Sequence, residues 1–208
     1  MDCPAFGFAW RSQYDRFIED IGGLSSSSTQ IDAIRGDGNP VHFVKSSGVW
    51  YVAYWQASTA TWSASTDPRH NVDLRLTTNG TYWYIQDADD TIDQYDMTGK
   101  LVKITYRGGY YQTLTYDGSG NNTVVTDSFG RTLTFTYLAN GLVDTMTDPS
   151  TGVTHYAYTD RSGIGVTPPS GSAGFWALGS VQYPDGKTLT YLYEDSNWIN
   201  RFALTGIT

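Results

Sequence analysis

Carboxylates are the first residues whose spacing suggests chemistry. Asp87, Asp89, Asp90 and Asp93 crowd one short stretch. Closely spaced oxygen ligands suit a calcium loop, but such a loop usually closes on a bidentate Glu. None follows here, so the run reads as a solvated hairpin turn. Asp117-Gly118-Ser119-Gly120-Asn121-Asn122 carries oxygens at alternate positions and again reads as a turn. His42, His70 and His155 are scattered, and no pair has the helical spacing of metal ligands. Gly186-Lys187-Thr188 has the ending of a phosphate loop, yet the earlier glycine would fall at Val181 and a strand follows. No Gly-x-Ser-x-Gly elbow is present. Arg35-Gly36-Asp37 spells an integrin-binding tripeptide, which a turn-rich chain produces by chance. The sequence therefore assigns no catalytic residue, no metal ligand and no cofactor.

Aromatic side chains offer a second kind of chemistry. Trp50, Tyr51, Tyr54, Trp55 and Trp62 crowd one stretch, and Tyr82, Trp83 and Tyr84 follow. Aromatic faces near Asn, Asp and Gln bind sugar rings; they also form the core of β proteins built from small residues. Trp50, Trp55 and Trp83 are the candidates for glycan contact.

The elements that would position these residues follow a beat. Tyr95, Tyr116, Tyr137 and Tyr158 stand 21 residues apart, and Gly99, Gly120 and Gly141 keep the same interval. A second glycine series runs Gly109, Gly130 and Gly152, with one extra residue before the last. Like residues at equal spacing describe an architecture rather than a reaction centre. Arg131 to Tyr137 alternates apolar and threonine positions, the two-residue period of a strand. Each interval holds two strands and two turns, and a last copy ends at Tyr193. The expected fold is all-β: an antiparallel meander of hairpins in a broad, curved sheet, with little or no helix. Equal spacing puts the tyrosines on one face, where a one-residue slip would turn the row to the wrong side.

Two regions are expected. Residues 1–94 are strand-rich without a period, and 95–208 hold about four 21-residue units with a Pro- and Gly-rich loop inserted at 161–177. In the first, a hairpin turns at Asp37-Gly38-Asn39, Gly48 to Trp55 is an aromatic strand, and Gln56 to His70 reads as a long connection. Tyr14, Phe17, Ile18 and Ile21 fit a helical stripe, but the β-rich surroundings favour strand.

Bulk composition limits the partners. A net charge of −8 and a pI near 4.6 argue against nucleic acid or an anionic membrane surface. Cys3 is the only cysteine, so no internal disulfide is available. No apolar run is long enough for a membrane helix. Met1 to Trp10 lacks the basic and apolar stretches of a secretory signal.

The repeated residues resemble the Rhs, or YD-repeat, family of bacterial proteins. The signature of Tyr-Asp, a short gap, Gly, a basic residue and Leu stands intact at Tyr95-Asp96-Met97-Thr98-Gly99-Lys100-Leu101. It is degenerate at Tyr116-Asp117-Gly118-Ser119-Gly120, and at Tyr137 to Leu142, where Leu138 replaces Asp. The companion element, Asp-x-x-Gly and an alternating strand ending in Tyr, runs from Asp127 through Gly130 to Tyr137, and again to Tyr158 and Tyr193. Phe6 to Asp15 and Arg35-Gly36-Asp37-Gly38 are similar to the region preceding the repeats. The resemblance implies a non-catalytic wall segment of a β shell that encloses a C-terminal toxin domain, which this sequence lacks. It further implies partners in the same longer polypeptide, further repeats and the toxin. Export to the cell surface or beyond would use a specialised secretion system. A glycan-binding surface module is the alternative.

Overall fold

A computed structural model describes residues 5–7, 10–20, 22–64, 74–161, 176–193 and 203–208. These residues contain 17 strands in two sheets and no helix, and every assigned strand pairing is antiparallel. The expected all-β meander is therefore the fold. The chain divides into two compact units: Gln13–Leu114 with Asp127–Phe129, and Met1–Ser12 with Thr115–Thr126 and Gly130–Thr208.

In the unit that starts at Gln13, a meander runs β1 (Phe17–Glu19), β2 (Gln30–Ile34), β3 (Pro40–Ser46), β4 (Val49–Gln56) and β5 (Thr61–Ala64). Alternation places Ile18, Ile31, Ala33 and Phe43 on one buried face. The stripe of Tyr14, Phe17 and Ile18 thus contributes a strand, Phe17–Glu19, and Ile21 lies outside the described residues. β5 corrects the expected connection at 56–70: Trp62 faces Trp55 across the β4–β5 pair. Cross-strand tryptophans hold such a short hairpin together despite its polar Thr and Ser positions. Residues 65–70 lie outside the described part. The same unit continues through β6 (Arg75–Thr78), β7 (Trp83–Gln86), β8 (Ile92–Tyr95), β9 (Leu101–Thr105) and the first residues of β10 (Tyr111–Tyr116). Leu76, Trp83, Ile85, Tyr95, Leu101, Ile104 and Leu114 are its buried apolar residues there, and Asp93 is buried too.

The other unit contains β11 (Asn122–Asp127) as far as Thr126, then β12 (Thr132–Tyr137), β13 (Val143–Thr147), β14 (Val153–Asp160), β15 (Trp176–Gln182), β16 (Thr188–Leu192) and β17 (Gly206–Ile207). Val125, Phe135, Leu142, Val143, Ala177, Leu178, Val181 and Tyr193 are its buried hydrophobic residues. In β12 the threonines are exposed and Phe135 is buried, the outcome of strict alternation. Most of the 161–177 loop lies outside the described residues; its return end, Trp176, opens β15 and pairs with Asp160.

One five-residue turn joins most of these strands. Its first N–H donates to the carbonyl four residues on, and its fourth N–H donates back to the first carbonyl. This geometry opens at Asp87, Asp96, Tyr106, Asp117, Leu138, Asp148 and Tyr183. The fourth position is left-handed, which favours glycine: Gly99 (φ 89°), Gly120 (89°), Gly141 (81°) and Gly186 (83°) sit there. The second glycine series is not uniform. Gly109 and Gly130 are left-handed, but in the next turn that position belongs to Thr151 (φ 69°). Gly152 is needed for room instead: an added Cβ would lie 2.7 Å from an Asp148 carboxylate oxygen and 3.0 Å from the Pro184 ring.

Candidate functional site

The repeated residues converge on one construction. The Tyr137 hydroxyl donates to the Asn122 carbonyl at 2.8 Å, Tyr158 to Val143 at 2.8 Å and Tyr193 to Leu178 at 2.9 Å. Each acceptor lies 15 residues before its tyrosine. Strand register explains why two of these carbonyls are free. Tyr137 pairs with Val143 and Tyr158 with Leu178, and the partner strand then carries one extra residue, Asp144 or Gly179. A bulge interrupts the ladder and leaves main-chain groups unpaired. The next tyrosine along supplies the missing donor, worth about 0.5–1.5 kcal/mol net for each bond. So Tyr137 marks the bulge that Tyr158 satisfies, and Tyr158 marks the one that Tyr193 satisfies.

Tyr95 departs from this use. It too pairs beside a bulge, opposite Leu101 with Val102 extra. Its ring is 2% exposed, and its hydroxyl turns to the Asp93 carboxylate at 3.2 Å. Arg16 grips both oxygens of Asp93, at 2.8 and 2.9 Å. Burial, reinforced by the Asp93 charge, holds the Tyr95 phenol well above its ordinary pKa. Burial also raises Tyr193, where the Trp10 N–H works in the opposite direction. Tyr116 ends β10 half-buried.

The repeated aspartates are consumed by turns. One carboxylate oxygen accepts the N–H groups two and four residues on: Thr98 and Lys100 for Asp96, Ser119 and Asn121 for Asp117, Ser150 and Gly152 for Asp148. Hydrogen bonds from the Asn121 side chain and backbone hold Asp117 below the usual carboxylate range. Gly99 has a further role: a Cβ there would sit 1.9 Å from the Ile18 carbonyl oxygen, and its own carbonyl accepts the Ile18 N–H at 3.0 Å.

The acidic run diverges. Asp87 is paired with Arg35, Asp89 caps the Thr91 N–H, Asp90 takes the left-handed turn position, and Asp93 points inward to Arg16. Among the described residues no three His, Cys, Asp or Glu side chains come together as a metal site would require. Two shallow grooves lie among turns. The larger, 560 Å³, has Asp117 as its one carboxylate beside Phe135 and Tyr137; the smaller, 390 Å³, runs along His155 and Tyr183. His42 is buried, paired with Asp32 and stacked under Trp62 at 4.2 Å; His70 lies outside the described residues. Arg35 and Asp37 of the tripeptide are engaged, Arg35 by Asp87 and Asp37 by the Asn39 N–H.

The three tryptophan candidates for glycan contact do not form one surface. Trp83 is 0% exposed, packed edge-on against Trp50 at 5.6 Å, with no hydrogen-bond partner for its indole N–H. Trp50 and Trp55 stand five residues apart in β4 and so point to opposite faces. The exposed aromatic pair is Trp55 with Trp62, rings 5.6 Å apart and 52% and 38% exposed.

No family model matches the chain, and no curated protein matches it. The site is thus defined by its own geometry, which contains one set of contacts the sequence left unread. Ala5, Phe6, Gly7 and Trp10 lie against the ends of β13 to β16. The Ala5 carbonyl accepts the Val143 N–H at 2.8 Å, Phe6 meets Tyr156 edge-on at 5.1 Å, and Trp10 meets Tyr191 at 4.7 Å. The Trp10 indole N–H donates to the Tyr193 hydroxyl at 2.7 Å. The only advance signal was a glycine flanked by aromatics ahead of the first strand.

Proposed function

We propose that this chain is a non-catalytic wall segment of an Rhs-type β shell, built to surround a toxin domain carried by the same longer polypeptide. One observation carries the reading: the recurring Tyr, Asp and Gly residues are spent on holding strands and turns. Tyr137, Tyr158 and Tyr193 bond main-chain carbonyls, two of them at bulges, the aspartates close turns, and Gly99, Gly120, Gly130 and Gly141 occupy left-handed positions. A side chain committed in this way is not available to a substrate. Further repeats and the enclosed domain are the expected partners, and export by a specialised secretion route is the expected destination.

The test is the reading frame. It should continue past Thr208 into more units at the same interval and then a variable C-terminal domain. Electron microscopy of the full product should show a hollow particle, and its terminal domain should resist protease. A frame that closes at Thr208, with a compact product that encloses nothing, removes the proposal.

Glycan binding stands as the second reading, favoured by the exposed Trp55–Trp62 pair. Glycan-array screening followed by tryptophan fluorescence tests it. Binding lost in Trp55→Ala and Trp62→Ala supports it, and silence across a broad array ends it.

A further inference from the structure

We propose that the strand-end face formed by Val143, Tyr156, Tyr158, Trp176, Tyr191 and Tyr193 is a peptide-binding site. It reads a Phe-Gly-x-x-Trp segment whose Trp10 main-chain N–H donates back to the Gly7 carbonyl at 3.2 Å, and residues 5–7 and Trp10 of the same chain fill it in cis. The inference goes beyond the shell reading and stands or falls separately from it.

Three elements of peptide recognition coincide on this face. The first is main-chain capture. The Val143 N–H, at the start of β13, donates to the Ala5 carbonyl at 2.8 Å, and the Tyr158 hydroxyl reaches the same oxygen at 3.5 Å. The second is a filter for glycine. Gly7 is buried, has φ 88°, and would place an added Cβ 2.7 Å from the Trp176 carbonyl oxygen and 3.5 Å from the Tyr158 ring. Any other residue there meets both a strained backbone and a main-chain atom that cannot swing aside. The third is an aromatic anchor. The Tyr193 hydroxyl gives its hydrogen to Leu178 and so presents only lone pairs, which the Trp10 indole N–H fills at 2.7 Å. Phenylalanine at position 10 would lack that donor. Phe6 against Tyr156 and Trp10 against Tyr191 add edge-on ring contacts.

The segment is not woven into the sheet. Residues 5–7 and Trp10 belong to no strand, and they are held by two hydrogen-bonding points, one steric slot and two ring contacts. A few such anchors, each read by a different chemical group, are the pattern of a reversible peptide site.

Full-length protein carrying Gly7→Ala and Trp10→Ala tests the site, probed with a fluorescently labelled synthetic peptide of residues 1–12 under reducing conditions. Anisotropy should saturate with this variant at below about 1 mM peptide-site affinity. Binding to the wild-type chain should be at least tenfold weaker, because its site is already filled. Peptides carrying Gly7→Ala or Trp10→Ala should bind the variant at least tenfold more weakly than the wild-type peptide. Equal binding by all three peptides, or no binding to a variant that still melts cooperatively, overturns the proposal. The milder Trp10→Phe chain supplies an independent reading by hydrogen exchange. The Val143 amide should exchange at least tenfold faster than in wild type, and added peptide should restore its protection. Unchanged protection at Val143 overturns the proposal as well.

Discussion

The Tyr158 hydroxyl donates to the carbonyl of Val143, and Val143 is the residue that Tyr137 faces across the strand pair. Each rung of this ladder therefore depends on the one before. Tyr158→Phe keeps the ring but strands a main-chain acceptor, and should destabilise by about 1–2 kcal/mol. Tyr193→Ala removes a buried ring as well, and should cost about 3–5 kcal/mol. Chemical denaturation of both variants checks the order; equal effects would sink the idea that the hydroxyl and the ring act separately.

Left-handed glycines should respond differently to alanine. Gly99 and Gly130 are both left-handed, yet a Cβ meets the Ile18 carbonyl at Gly99 and open space at Gly130. Gly99→Ala should lower the melting temperature well beyond Gly130→Ala.

The reverse change should help at Thr151, which holds a left-handed conformation without being glycine. Thr151→Gly relieves that strain and should stabilise the protein by up to about 1 kcal/mol. A lower melting temperature would contradict the assignment of Thr151 to the fourth turn position.

Arg16 and Asp93 are largely buried, at 18% and 7% side-chain exposure. Arg16→Met leaves the Asp93 charge uncompensated and should cost about 3–5 kcal/mol. Adding Asp93→Leu to the same protein should recover part of the loss, which a double-mutant cycle measures.

Stability should fall at both extremes of pH, for opposite reasons. Burial raises Tyr95, Tyr156 and Tyr193 above the ordinary tyrosine value of 10.0. Above pH 10 the unfolded chain releases these protons while the folded one keeps them. Their contribution is full below pH 10 and is lost as pH rises through the raised values. Asp117 behaves in the mirror sense: lowered from 3.8, it contributes above that pH and ceases to as pH falls through its folded value. Melting curves from pH 2 to 12 check both limbs, and Asp117→Asn should flatten the acid one.

The strands and turns were legible because period-two alternation and left-handed glycines leave marks in the letters. The turn at Asp148 carries no glycine mark at its fourth position, which is filled by Thr151 against the usual preference. The β5 strand was missed because Thr61 to Ala64 is small and polar apart from Trp62, whose partner Trp55 lies on the neighbouring strand. Trp83 could not be told from an exposed tryptophan by composition; only the packing against Trp50 decides it. The Trp10–Tyr193 contact joins residues 183 apart, a distance no local pattern encodes.

Because Tyr137, Tyr158 and Tyr193 each grip a main-chain oxygen, the side chain of the residue supplying that oxygen takes no part in the bond. Asn122 is polar, while Val143 and Leu178 are buried aliphatics held by the core. The bond therefore leaves each receiving position to be chosen by its surroundings, apolar at Val143 and Leu178, while the mechanical link persists. The rule that ties these strands together is thus written in half of its letters only, and copies of the unit look less alike than they are built.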